Sequence, residues 1–434
     1  LRIAARDRGT RAALEEIATA YEHLQHRRAG DGVDYPSWRI RNATVFDDDI
    51  ERLAERCPEL PGGGPSISVV MPVYDPEPPW LQAEIDSVVA QSYSNWQMCK
   101  VDDASPNPEI ATILEEAAAA DDRILVRRRS ENGHIVAATN DALEFAVGEY
   151  VAFMDHDDEL APFALSAVAL ASNGADIIYT DEDKIDGTGR HYDPHCKPRW
   201  NPELLLGQNY LSHLTVIRRS LVDSVGRLRI GFEGAQDLDL LLRVSAQTPA
   251  ERIRHVPLIA YHWRAIEGST ALAPGEKSYT EDASMRALEE RLDDDWTVTG
   301  AGPPTAYRCT PPLIDFPLVS ILIPTRDRVD LLRQCVDSLA RTTYPAFEVI
   351  VIDNDSSEPE ALEWLDAFDN GHDHRVVPAP GPFNYSAVNN LGARAARGEL
   401  LLLLNNDTEV IDPDWLMTMV RWIQQPGIGA VGAK

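Results

Sequence analysis

Basic residues are in deficit: 40 Lys and Arg stand against 70 Asp and Glu, a net charge of −30. A phosphate backbone demands a basic footprint, so nucleic acid is excluded as a partner, and broad electrostatic docking on anionic lipid with it. No apolar run approaches bilayer-crossing length, and Leu400 to Leu404 reads as a short buried strand. No signal-peptide pattern is visible. The chain begins at Leu1 and stops in mid-pattern at Lys434, which reads as a fragment, so missing targeting segments say little of a parent protein. The five cysteines are scattered and form no CxxC pair, which predicts reduced thiols in a cytoplasmic-type compartment and no zinc site. A glycine-rich phosphate loop is missing where one would matter. Pro72-Val-Tyr-Asp75 follows the first apolar run in place of GxGxxG or a P-loop, and Gly62-Gly-Gly64 precedes that run.

What is present is a repeat. Ile67 to Asp75 returns as Val319 to Asp327, Tyr93 to Ser105 as Tyr344 to Ser356, and Gly148 to Asp157 as Gly398 to Asp407. A period of about 250 residues means duplicated domains, not a solenoid. Hydrophobic content of 44% allows ordinary cores. We expect a helical segment over 1–62, a first domain over 65–300, a Pro-rich linker over 301–316, and a second, incomplete domain over 317–434. From Ser66, strand-length apolar runs at 67–73, 96–101, 124–126 and 150–154 alternate with helical stripes. That rhythm predicts a mostly parallel, doubly covered α/β sheet. Asn107-Pro108 reads as a helix start, and Leu238 to Val244 as a later helix.

Strand ends deliver Asp75, Asp102, Asp103, Asp155, Asp157 and Asp158 to one sheet edge. Carboxylates that repel one another gather around a cation, or around donors such as nucleobase N–H groups and ribose hydroxyls. An acidic turn after a strand is the bland alternative for Asp155-His-Asp157-Asp158; the apolar lead-in and the pair at Asp102-Asp103 weigh against it.

The ordered series PVYD, VDDAS, ENGHIVAATN, GEYVAFMDHDDELAP, TDEDKID, GFEGAQDLDLLLR and YHWR resembles family 2 glycosyltransferases of the GT-A fold. It is most similar to the tandem-domain kind of bacterial surface-polysaccharide and O-antigen assembly, over Ser66 to about Arg291 and Leu318 to the end. The resemblance implies tandem GT-A domains, each a Rossmann-like, mostly parallel α/β sheet, the second copy incomplete. It implies that Asp103 reads the nucleobase, that Asp75, Asp102 and Asn140 belong to the nucleotide-sugar pocket, and that Asp155 and Asp157 form a DxD for ribose and diphosphate. Asp157, Asp158 and His262 become metal ligands for Mn²⁺ or Mg²⁺, imidazole favouring Mn²⁺. Arg264 braces the diphosphate or serves as an ion-pair partner. Asp237 is the general base of an inverting single displacement, with a helix cap as its bland alternative. Asp181, Glu182, Asp183, Asn209 and Tyr210 lie where this family meets its acceptor.

In the second copy Asp327, Asp353, Asn354, Asn390, Asn405 and Asp407 hold the corresponding positions, in a rhamnosyltransferase-like pattern with one metal carboxylate left. Nothing there matches Asp181, Asp237 or His262. The implied activity is metal-dependent transfer from a UDP- or dTDP-sugar to a growing glycan or lipid-linked glycan. Its implied place is the cytoplasm, or the cytoplasmic face of the inner membrane beside other assembly enzymes. Two readings compete: a non-catalytic tandem nucleotide-sugar or glycan-binding scaffold, and a sugar-1-phosphate nucleotidyltransferase, which would need a Gly-rich loop with Arg or Lys after the first strand.

Overall fold

The computed structural model describes residue 35 and residues 52–265 and 278–432. Apart from Tyr35 and the stretch from 52, the helical segment expected over 1–62 lies outside the described residues. Contacts divide the chain into two compact units. One runs to Asp294 and includes Val298–Cys309; the other takes Asp295–Thr297 and Thr310–Lys434.

In the first unit, two apolar runs form adjacent parallel strands, β1 (Ile67–Val73) and β2 (Trp96–Asp102), in register from Ile67↔Trp96 to Val73↔Asp102. β3 (Ile124–Arg128) adds to β2, and β4 (Tyr150–Phe153) adds to the other side of β1, all parallel. The chain therefore steps outward from β1 and then returns to its opposite flank. At such a reversal an open α/β sheet leaves a crevice beyond the strand carboxyl ends. Asp75, Asp102, Asp103 and Asp155 leave the sheet there because β1, β2 and β4 all point the same way.

Three helices cover these strands: α1 (Pro78–Val89), α2 (Pro108–Ala120) and α3 (His134–Phe145). The Asn107 side chain caps α2 by accepting from Glu109 N at 3.0 Å. The stripe Leu81, Glu84, Ile85 and Val88 is the buried face of α1. Glu84 is paired with Lys100 of β2, and both side chains are fully buried. Burial, outweighing the attraction of Lys100, pushes the Glu84 carboxyl up to about 7. The short α4 (Ala164–Ala171) is apolar but for Ser166 and buried on every side.

Past β4 the sheet continues through β8 (Thr215–Arg218), β6 (Ile177–Ile185), β9 (Ile253–Arg264) and β5 (Glu159–Leu160), with β7 (His191–His195) beside β6. β6 and β9 run parallel; β5, β7 and β8 are antiparallel to their neighbours. The helices α5 (Pro202–Gly207), α6 (Arg219–Ser224), α7 (Gln236–Ala246) and α8 (Ser278–Arg291) complete this part. Within the stretch expected as an open linker, β11 (Tyr307–Thr310) pairs with β10 (Thr297–Gly300). Tyr307 and Cys309 are buried, so their apolar bulk anchors a ribbon there.

The second unit repeats the first half of this sheet. β12 (Val319–Thr325), β13 (Phe347–Asp353), β14 (His374–Pro378) and β15 (Leu400–Leu403) stand in the order β14-β13-β12-β15, all parallel. The helices are α9 (Val329–Leu339), α10 (Pro359–Phe368), α11 (Tyr385–Ala395) and α12 (Trp415–Ile423). Small details recur with the topology. Tyr93 and Tyr344 each donate at 2.6 Å to a carbonyl ahead of the first strand, Pro65 and Pro317. Gly148 and Gly398 each donate N–H to a serine of that strand, Ser68 and Ser320, at 2.8 Å. The reading of Leu400 to Leu404 as buried is corrected. It supplies a strand, but Leu401 and Leu403 are 51% and 55% exposed. In the first unit β8 pairs along β4; among the described residues no strand does the same for β15.

Candidate active site

At the β1 and β2 ends, Asp75 turns the chain in a left-handed conformation (φ 48°), its N–H donating to Ser105 Oγ at 2.9 Å. The carboxylates of Asp102 and Asp103 are 1% and 2% exposed. Asp102 accepts from Ser105 N at 2.9 Å and pairs with Arg128 at 3.2 Å. Asp103 accepts from Gly133 N at 2.9 Å and pairs with Arg129 Nε at 2.9 Å, which fixes it at the floor of the crevice. Asn140 has another engagement. Its amide donates to Leu228 O at 2.9 Å and accepts from Leu228 N at 3.2 Å, tying α3 to the loop ahead of α7.

The acidic run after β4 divides by role. The Asp155 side chain is 43% exposed, 3.9 Å from His213 Nε2. Asp157 is half-buried; burial and the charge of Asp155 raise its pKa, against the pull of His156 and Arg264. Asp158 is wholly buried and held as a bolt. Its Oδ1 accepts from Arg264 N at 2.7 Å and its Oδ2 from the Tyr261 hydroxyl. Burial, then Asp157 and Asp155, push its carboxyl well above the ordinary range.

Strand parity explains the YHWR segment. Neighbouring residues on β9 point to opposite faces. Tyr261 stacks on His213, centroids 4.7 Å apart, and Trp263 meets the same ring edge-on. His262 points the other way, 5% exposed, with Nδ1 on Asp183. The expected DxD ligand is thus buried on the Asp183 side, and the imidazole beside Asp155 belongs to His213. Arg264 is 1% exposed. It donates to Asp157 O at 2.7 Å, pairs with Glu159, and lies over the Trp80 ring at 4.2 Å. Of its two expected roles the structure shows the ion pair.

Asp181, Glu182 and Asp183, expected to meet an acceptor, face inward at 3%, 5% and 0% exposure. Asp181 accepts from Lys197 N at 2.9 Å and contacts His255 Nε2 at 2.7 Å. Glu182 accepts from Lys197 Nζ at 3.1 Å and His213 N at 3.0 Å. Burial alone would raise its pKa, but Lys197 and the neighbouring imidazoles hold it down at about 2. Asp183 binds His191 at 3.0 Å and the Tyr35 hydroxyl at 2.8 Å besides His262. Burial opposes and His262 then lowers its pKa, below the usual range. Tyr210 is likewise 1% exposed, its hydroxyl accepting from Asn201 N at 2.8 Å.

Asp237 stands in the first turn of α7, open to water yet closely walled by the cleft. That crowding raises its pKa, opposed by the backbone of the helix start and by His213, while the charge of Asp155 is felt there too. Asn209 Nδ2 donates to its Oδ2 at 2.7 Å. Asp239, two residues on, is 1% exposed and clamped by Arg229 and by Arg243, the latter at 2.6 Å. The two acids of the QDLD segment are thus distinct: one faces the cleft, the other is an ion-pair hub.

Tyr261 is what sequence reasoning passed over as a site residue, while His213, expected only as the end of an acceptor-side segment from Asn209, stands beside Asp155. The signal was an aromatic-rich YHWR strand of fixed parity and a histidine ending the Asn209 segment; the pairing itself is tertiary.

In the second unit, Asp327 repeats Asp75: φ is 52°, N–H donates to Ser356 Oγ at 2.8 Å, and Oδ1 accepts from Glu358 N and Ser357 N, which lower its pKa. Asp353 accepts from Ser356 N at 3.1 Å, as Asp102 does from Ser105. Asn354 donates to the carbonyls of Ala379 and Gly381. Asn390, Asn405 and Asp407 are exposed. Among its described residues, no helix stands where α7 delivers Asp237.

The family profile described as Glycosyl transferase family 2 matches residues 68–226 and 320–434. The protein y4gI of Sinorhizobium fredii is 48% identical over 396 residues, 88% of this chain and 43% of that protein. The O-antigen biosynthesis protein RfbC of Myxococcus xanthus is 42% identical over 414 residues, 92% of this chain and 31% of that protein. The chain therefore spans less than half the length of either relative. Among solved structures, S. aureus TarS in complex with UDP-GlcNAc aligns with TM-score 0.43 and 20% identity, over 52% of this chain and 66% of that one. With both copies matched by the profile and the crevice acids placed at the strand ends, this chain belongs to glycosyl transferase family 2.

Proposed function

We propose that the first unit transfers a sugar, with inversion, from a UDP- or dTDP-sugar to a hydroxyl of a growing glycan or lipid-linked glycan. One observation carries this: the 209–213 segment links the half-open Asp155 carboxylate, 3.9 Å from His213, with the open carboxylate of Asp237, which accepts from Asn209 at 2.7 Å. The base lies with Asp75 and Asp103 at the ends of β1 and β2. The diphosphate lies beside Asp155 and Asp157. An acceptor hydroxyl, hydrogen-bonded to Asp237 Oδ1, gives up its proton as its oxygen attacks the anomeric carbon opposite the nucleotide. The C–O bond to the diphosphate breaks, and the nucleoside diphosphate leaves.

The donor set fits a divalent cation. An oxygen of Asp155, an oxygen of Asp158 and a ring nitrogen of His213 lie within 4.8 Å of one another, with Asp157 in the same turn. His262 groups instead with Asp183 and His191. Bound there, Mn²⁺ or Mg²⁺ would neutralise charge on the leaving diphosphate. The name of the Myxococcus xanthus relative supports surface-polysaccharide assembly as the setting. We place the reaction in the cytoplasm, where nucleotide sugars are available, with the acceptor at the membrane's inner face. Calorimetry with UDP and dTDP tests the site. Affinity should rise at least about tenfold from chelator to Mn²⁺, because the carboxylates otherwise face the diphosphate directly. Equal affinity in both would overturn the metal assignment.

A further inference from the structure

The segment 209–213 touches both sides of the crevice. At one end Asn209 Nδ2 donates to Asp237 Oδ2 at 2.7 Å. At the other, His213 stacks on Tyr261 and stands 3.9 Å from Asp155. Between them the backbone is braced from below. Lys197, its side chain fully buried, donates to Leu211 O at 2.6 Å, to His213 O, and to Glu182 at 3.1 Å, while Glu182 accepts from His213 N at 3.0 Å. An ammonium holding two carbonyls and a carboxylate holding the intervening N–H leave this loop little freedom.

We propose that Asn209 is the positioning residue of the general base, an inference that rests on the reading of Asp237 as that base. Its amide is oriented for the task. Oδ1 accepts from Ser212 N at 3.3 Å, so Nδ2 is the atom turned toward Asp237. A donor on Oδ2 stops the carboxylate rotating and leaves Oδ1 for the incoming hydroxyl. A donor to a carboxylate also favours its charged form, the form a base must have before attack. Here it works beside His213 and against the crowding of the cleft and the charge of Asp155.

The test is transfer measured against pH for the wild type, Asn209→Ala, Asp237→Asn and the double variant. Asn209→Ala should lower kcat on the order of 10- to 100-fold. It should move the acid limb of kcat upward by about one pH unit and leave donor KM within about twofold. In the Asp237→Asn background it should cost nothing further, since a positioning residue acts only through the group it positions. A loss confined to acceptor KM with an unmoved acid limb, or a loss that multiplies with that of Asp237→Asn, would overturn the proposal and make Asn209 an acceptor contact. Wild-type turnover in Asp237→Asn would instead remove the base itself, a result distinct from both.

Discussion

At the scale of single residues, burial separates acids that look alike in sequence. Asp237 and Asp239 both lie in the first turn of α7, but Asp239 is locked between Arg229 and Arg243. Asp239→Asn should therefore act on stability and not on chemistry. Removing one partner of a buried charge cluster costs about 3 kcal/mol, read as a lower denaturation midpoint, while turnover per folded molecule stays near wild type. A stable variant with lost turnover would mean that Asp239 takes part in the reaction. The positions of Asp75, Asp103, Asp155 and Asp237 were legible because each ends or begins an element that composition and periodicity define. The fates of Asp158, His262 and Arg264 were not. They depend on which face of β9 meets which strand, and a one-residue change of parity exchanges Tyr261 with His262.

At the scale of elements, the run lengths of apolar residues were enough to place β1 to β4, and the repeat carried that placement to β12, β13 and β15. The ribbon at Tyr307 was hidden by its prolines, and the exposure of Leu401 by a composition that reads as core. Two elements also make the duplication testable. A Cβ on Gly148 would fall 2.6 Å from Ser68 N, and one on Gly398 would fall 2.7 Å from Ser320 N, backbone that does not yield. Gly148→Ala and Gly398→Ala should each destabilise their own unit by about 1–3 kcal/mol, measured by hydrogen exchange of that unit's strand amides; a silent substitution would contradict the shared packing.

The same junction differs in charge between the copies. In the first, Gln97 accepts from Val147 N at 3.2 Å; in the second, the fully buried Glu348 accepts from Arg397 N at 2.8 Å and binds Arg375. Burial alone would raise the Glu348 pKa, but Ser320, the Arg397 backbone and the two arginines hold it at about 2. A folded pKa below the unfolded one gives stability that is whole above about pH 4.5 and is lost as pH falls toward about 2. Protection of the β12 and β13 amides, corrected for intrinsic exchange, should fall through that window in the wild type. It should flatten in Glu348→Gln, which adopts the first unit's solution; an unchanged pH dependence would show that the arginines do not sense this carboxylate.

At the scale of the molecule, the two copies share one sheet order through their fourth strand. The first continues through β6, β8 and β9 and so gains Asn209, His213, Asp237 and Tyr261. The described second copy runs as far as α12 and keeps the Asp327, Asp353 and Asp407 edge without an opposing base. On a chain of net charge −30, the proposed reading requires a divalent cation in the crevice for a diphosphate to be held. The central claim is that this chain works through its first unit. The direct measurement is sugar transfer by the same chain carrying Asp155→Ala or Asp407→Ala. Asp155→Ala should abolish transfer and Asp407→Ala leave it nearly intact; loss with Asp407→Ala and survival with Asp155→Ala would contradict the account.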